Sequence, residues 1–222
     1  MKANFSIQDY QHFSFDLWLT VIKSHYEFKT KRAELFKSFF KIDKPFDDVM
    51  STVKYYDNLC NTSNEIVGGN IETFEIYLMI LSSLKVDLKT LNMKLFEDFY
   101  IESEQLFLKY HPQIIMENVH GLFEEIKSAG KTINILSNTG FIKGKTMRKF
   151  LHHQKLDQYI DFQIYSDEIR FSKPNPEVFK AVLNQIKNKN ILPEKILHIG
   201  DNLVADYNGA RDFGFSAYLI QN

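Results

Sequence analysis

Two short apolar runs, Phe13-Ser14-Phe15-Asp16 near one end of the chain and Ile196-Leu197-His198-Ile199-Gly200-Asp201 near the other, each break into an aspartate. Strands that are apolar along their whole length are buried on both faces, as in parallel sheets covered by helices, and such sheets gather their functional groups at the carboxyl edge. The two runs therefore predict strands of an open α/β sheet that deliver two carboxylates to one crevice. Paired acids in such a place suggest a bound metal ion.

Between these runs the chain changes texture. From Val21 to Tyr110 the only glycines are Gly68 and Gly69, and apolar residues recur at helical spacing: Leu35, Phe36, Phe39 and Phe40, then Phe74, Tyr77, Leu78 and Leu81, then Leu91, Leu95 and Phe99. Pro45, the Gly68-Gly69-Asn70 turn and Asp87 divide this stretch into about four helices, the make-up of a small bundle.

From His111 onward helix and strand alternate. Val119, Leu122 and Ile126 with Gly130 read as a helix and its stop, followed by a strand from Thr132 to Leu136. Next come a helix around Met147 to Leu151, a strand from Phe162 to Tyr165, and a helix capped by Asn175 with Pro176 in its first position. The series closes with a strand from Ile196 to Ile199, a helix from Ala205 to Phe213 stopped by Gly214, and a strand from Ala217 to Ile220. The expected fold is α/β, a doubly wound, Rossmann-like sheet of five parallel strands with right-handed crossovers, interrupted after its first strand by the helical bundle. Its expected boundaries are a core of residues 1–20 and 111–222 and a helical cap of residues 21–110.

The formal net charge is −1 over 222 residues, with no run of like charges, so neither nucleic acid nor an anionic membrane is favoured as partner and a small molecule is expected. No stretch reaches the roughly 18 apolar residues of a membrane span, the first residues lack the apolar centre of a secretion signal, and a lone Cys60 excludes an internal disulfide. A cytoplasmic location is expected. His25 and the pair His152-His153 fit no metal spacing with other ligands and read as structural, as does Cys60.

The residues that follow each strand carry the chemistry. Strand one ends in Asp16 with Thr20 four residues on, and strand two in Ser137-Asn138-Thr139-Gly140. Ser172-Lys173-Pro174 follows strand three, and Gly200-Asp201 with Asp206 follows strand four. In a parallel sheet these ends converge, bringing together a carboxylate nucleophile, hydroxyl and amide donors, a cation and further acids. Such a set suits an anionic substrate and an anionic transition state.

Asp16-x-x-x-Thr20, Leu136-Ser137-Asn138, Lys173-Pro174-Asn175-Pro176 and Gly200-Asp201-x-x-x-x-Asp206 with Gly209-Ala210 occur in order after four strands, and in this the chain resembles the haloacid dehalogenase superfamily, in the branch with a helical cap inserted after the first motif. The resemblance implies that Asp16 attacks phosphorus or carbon and forms a covalent intermediate that water cleaves. It implies that Ser137 and Lys173 bind the transferred group, with Asn138 beside them, and that Thr20 belongs to the catalytic set. Mg²⁺ would then be held by Asp16, Asp201, Asp206 and the backbone carbonyl of Trp18.

Two positions depart from the family pattern. Most family phosphatases carry a second aspartate two residues after the nucleophile, as acid for the leaving oxygen, where this chain has Trp18; the next position, usually glycine, is Leu19. Loss of a general acid costs about 10² to 10⁴ in rate. The family's dehalogenases place an aromatic tyrosine there, because halide leaves without a proton, but they work without metal and lack the acid corresponding to Asp201. Asp16 and Asp201 side by side would repel without a cation between them. The expected activity is accordingly a Mg²⁺-dependent phosphatase for a small phosphorylated metabolite, the missing proton donor being made unnecessary by a good leaving group or replaced by a cap acid such as Glu27 or His25. The alternatives are a 2-haloacid dehalogenase and a weakly active or non-catalytic ligand-binding descendant.

Overall fold

The computed structural model describes residues 5–186 and 190–220, so the outermost residues of the two expected core stretches, and residues 187–189 within the second, lie outside the described residues. In chain order the strands are β1 (His12–Phe15), β2 (Ile22–Lys23), β3 (Gln113–Ile114), β4 (Thr132–Ser137), β5 (Phe162–Tyr165), β6 (Ile196–Gly200) and β7 (Ser216–Leu219). Five of them form one sheet in the order β5-β4-β1-β6-β7, every neighbouring pair parallel. This is the α/β architecture expected from the apolar runs. β1 lies at the centre, and the winding reverses there, so its carboxyl end faces a crevice between oppositely directed crossovers. Register places Phe15 beside Ile135 on one side and Ile199 on the other, and the Asp16 N–H donates to the Ile199 carbonyl at 2.9 Å.

The stretch between β2 and β3 is helical: α1 (Phe28–Phe39), α2 (Phe46–Val67), α3 (Thr73–Ser83) and α4 (Met93–Lys109). Its stripes pack into a centre of their own, built on Phe36, Ile76, Tyr77, Ile80 and Phe99. Pro45 immediately precedes α2, and Gly68 ends that helix at φ 71°. The remaining helices, α5 (Val119–Ser128), α6 (Gly144–His153), α7 (Ser166–Ile169), α8 (Pro176–Gln185) and α9 (Gly209–Phe213), flank the sheet. Asn175 caps α8 by accepting from the Glu177 N–H. Among the described residues no helix is long and apolar enough to cross a membrane.

Besides the one-turn helix α7, two features differ from the expected order of elements. β2 and β3 pair antiparallel where the chain leaves and re-enters the sheet; each is two residues long, too short for an alternating pattern to register. The expected helix from Ala205 begins instead as a π-helical turn at Leu203–Asn208 before narrowing into α9. Asn202 caps this wide turn by taking the N–H groups of Val204 and Ala205. The extra residue per turn rolls Asp206 inward, against the end of β6.

His12, at the start of β1, is buried; its Nε2 contacts Asn134 Oδ1 at 2.8 Å, its Nδ1 contacts Thr132 Oγ1 at 2.6 Å, and its ring stacks on Phe162. Because Oδ1 can only accept, Nε2 carries the proton. Burial pushes this imidazole down to about 4. An unfolded chain takes up that proton near pH 6.5, so stability is complete above that pH and falls as pH drops toward 4. Between pH 7 and 4.5 the wild type should lose about 2 to 3 kcal/mol more than His12→Gln in urea unfolding; parallel losses would rule the effect out.

Candidate active site

The carboxyl edge of the sheet opens into a cavity of about 360 Å³ whose wall includes Asp16, Trp18, Asn138, Lys173, Asp201 and Asp206. Asp16 leaves the central strand directly into it. Lys173 is 1% exposed, and its Nζ donates to Asp16 Oδ1 at 2.7 Å, Asp206 Oδ1 at 2.6 Å and the Leu136 carbonyl at 2.9 Å. All three ammonium protons are therefore satisfied. Asn138 fixes the lysine's backbone, accepting from the Lys173 N–H at 2.8 Å and donating Nδ2 to its carbonyl at 3.0 Å.

Asp206 does more than complement a helix start. Its Oδ1 takes Lys173 Nζ and His198 Nε2 (3.1 Å), and its Oδ2 takes the Asn202 N–H at 3.0 Å. Gly200 makes room for this, because the Asp206 carboxyl occupies the space where a β-carbon at position 200 would stand. His198 in turn meets Ser14 Oγ at 3.0 Å through Nδ1, which leaves Nε2 as the donor to Asp206. Thr20 Oγ1 donates to Asp201 Oδ1 at 3.2 Å and so holds the second acid at the wall. Ser137 is buried just behind the wall, its hydroxyl donating to the Asn138 carbonyl at 3.3 Å.

One carboxylate oxygen each from Asp16, Asp201 and Asp206 lie within 4.8 Å of one another. Three carboxylates face one ammonium, so acidic groups are in surplus here. Burial pushes Asp16 up to about 7 against the pull of Lys173, with Asp206 and Asp201 adding to the rise. Burial, then Asp206, raises Asp201 as well. For Asp206 burial also works upward, but Lys173 and His198 override it and hold this carboxyl below the ordinary range. A hard divalent cation fits this donor set, since it would cancel the surplus charge with oxygen ligands. Among the described residues no hydrogen bond occupies Asp16 Oδ2, whereas both Asp206 oxygens are taken by nitrogen donors. Asp16 and Asp201 are thus the better-placed ligands, with Asp206 anchoring the lysine.

The helical block supplies the rest of the wall. Trp18 lies half-buried at the cavity, its ring edge-on to Phe107 of α4 at 6.3 Å. Leu19 adopts φ 58°, a left-handed conformation costing a β-carbon residue about 1 to 2 kcal/mol, which explains why glycine suits this position. Neither of the cap groups expected as a substitute acid reaches the wall: His25 stacks against Tyr26 and Tyr110, and its Nδ1 takes the Glu27 N–H. The acids that do line the cavity from this side are Asp57 and Glu65, the latter accepting from Asn202 Nδ2 at 2.5 Å. Along α2 they follow the same polar stripe as any solvated face, so spacing could not single them out. Arg32, Phe141 and His198 were equally unmarked, whereas Asn202, two residues beyond Gly200 at a helix start, carries a readable capping signal.

A family model described as haloacid dehalogenase-like hydrolase matches residues 10–214. The rhythmically expressed gene 2 protein of Drosophila melanogaster is 32% identical over 105 residues, covering 47% of this chain and 39% of that protein. The glyceraldehyde 3-phosphate phosphatase of Methanothermobacter thermautotrophicus is 32% identical over 100 residues, 44% of this chain and 41% of the relative, and the (S)-2-haloacid dehalogenase 4A of Burkholderia cepacia is 28% identical over 97 residues, 44% and 39%. The chain thus spans well under half the length of these curated relatives. Among solved structures, the HAD-hydrolase YfnB from Bacillus subtilis, bound to magnesium, superposes with a TM-score of 0.69 at 20% identity over 95% of this chain and 88% of that one, a likeness of fold.

Proposed function

The chain belongs to the haloacid dehalogenase-like hydrolases, and from that premise we propose that it is a Mg²⁺-dependent phosphatase for a small phosphorylated metabolite. The observation that carries this reading is the second acid: Asp201, steadied by Thr20, stands with Asp16 and Asp206 in one oxygen cluster. A nucleophile that needed no cation would gain nothing from a repelling neighbour.

In this reading Asp16 attacks phosphorus through the carboxylate oxygen that the cation leaves free, with Lys173 beside it, and the bond to the leaving oxygen breaks to give an aspartyl phosphate. Water then attacks that phosphorus, releasing phosphate and regenerating the carboxylate. Lys173, kept charged by Asp16 and Asp206 despite its burial, supplies a fixed positive charge beside the transferred group. Asn138 keeps the lysine's backbone in place, and the cap excludes bulk water. Mg²⁺, held by Asp16, Asp201 and the Trp18 carbonyl, would neutralise charge on the phosphoryl oxygens.

A specific feature favours a second reading, dehalogenation: the aromatic Trp18 stands where a proton donor is expected, and a departing halide needs none. One assay separates the two. Purified protein should hydrolyse 4-nitrophenyl phosphate with Mg²⁺ and stop with EDTA, and should release no halide from 2-chloropropionate. Asp201→Asn should bind Mg²⁺ at least about 10-fold more weakly by calorimetry while keeping its circular dichroism spectrum. Metal-independent halide release, or Mg²⁺ binding unchanged in Asp201→Asn, would overturn the phosphatase reading.

A further inference from the structure

Three cations stand on the cavity wall, and their partners differ. Lys173 has Asp16 and Asp206, and Lys29 pairs with Asp57 at 3.8 Å. Arg32, on α1, has no hydrogen-bond acceptor and no carboxylate partner among the described residues, although it is only 6% exposed. Its guanidinium lies 3.9 Å from the centre of the Phe141 ring and 5.5 Å from that of Phe28. Phe141 is thus in contact with the guanidinium and Phe28 lies beyond contact distance, while Arg32 itself lines the cavity.

A buried cation without a counter-charge is unfavourable unless something completes it, and the two rings offset only part of that. They do fix the guanidinium, so that an incoming anion would meet donors already in place. The planar fork of arginine matches a carboxylate or phosphate with two parallel hydrogen bonds, which a point charge such as Lys29 cannot offer. We propose that Arg32 seats a second anionic group on the substrate, so that the molecule accepted here carries a carboxylate or another phosphate besides its phosphoryl group. The proposal rests on the phosphatase reading for the identity of the first group. A cavity of about 360 Å³ restricts such a molecule to the size of a small metabolite.

Binding tests this without requiring turnover. Calorimetry with the 2-, 3- and 4-carboxyphenylphosphonates, each set against its carbamoyl counterpart, varies charge at nearly constant shape, and 1,3-phenylenebisphosphonate adds the second-phosphate case. In the wild type at least one anionic ligand should bind at least about 10-fold tighter than its neutral partner, as expected for a bidentate charged hydrogen bond. Whichever of carboxylate and bisphosphonate gains more identifies the group. Arg32→Gln should erase the preference while leaving phenylphosphonate affinity unchanged, and Arg32→Lys, which keeps the charge but loses the fork, should retain only part of it. A wild type indifferent to the second charge overturns the proposal however the variants fold, as does a preference that survives Arg32→Gln. If the Arg32-dependent preference holds and no phosphoester is cleaved, the anion seat stands and the phosphatase reading falls.

Discussion

Asp16→Asn is expected to lower turnover of an aryl phosphate by about 10⁴-fold or more, the scale of losing a covalent nucleophile. The amide matches the carboxylate in shape but cannot attack phosphorus. It can still accept from Lys173, which also keeps Asp206 and the Leu136 carbonyl. Removing one of three crowded acids relieves repulsion at Asp201 and Asp206. The variant should therefore unfold within about 1 kcal/mol of the wild type, so that lost activity is not lost structure. Turnover near the native rate in Asp16→Asn would remove the covalent mechanism.

The second large effect concerns Trp18. A phosphatase with no proton donor at that position should cleave aryl phosphates much faster than alkyl phosphates, because a phenolate leaves unprotonated. Trp18→Asp should narrow that gap by up to about 10²-fold if the new carboxyl reaches the leaving oxygen. The ring is half-buried against Phe107, so the substitution should also cost about 2 kcal/mol, less than for a fully buried tryptophan. Equal wild-type rates on both ester classes would assign the proton to an acid of the helical block, with Asp57 and Glu65 the two on the wall.

What the amino-acid sequence discloses here follows a physical divide. The five sheet strands are legible because each is a short, mostly apolar run bounded by polar or turn residues, and a buried parallel strand leaves that mark. Asp16, Ser137 and Asp201, at strand ends, inherit their positions from the strands, and Lys173 stands in the loop beyond β5 and α7. The helical block's contribution was not legible. Arg32, Asp57 and Glu65 reach the cavity from α1 and α2, and the way a helix docks over a distant strand end leaves no period in its own sequence. The network behind the site was hidden for a different reason: His198 sits mid-strand among apolar neighbours, where only its pairing with Ser14 and Asp206 distinguishes it from a core residue. The motif makes Asp206 a ligand beside Asp201, and the wide turn at Leu203–Asn208 brings it to Lys173 as well.

The chain itself ties the helical block to the sheet along one side, where Ile22–Lys23 and Gln113–Ile114 run together. On another side the Gly68–Asn70 turn meets residues 170–175 through hydrogen bonds: Ser172 N–H and Asn175 Nδ2 both donate to the Gly68 carbonyl, and Asn70 N–H donates to the Arg170 carbonyl. Two of these three hydrogen bonds fall on either side of Lys173, so the segment that carries the ammonium is also one on which the helical block rests. A side chain placed at Gly68, where φ is 71°, would therefore disturb the charge beside Asp16 as well as the end of α2.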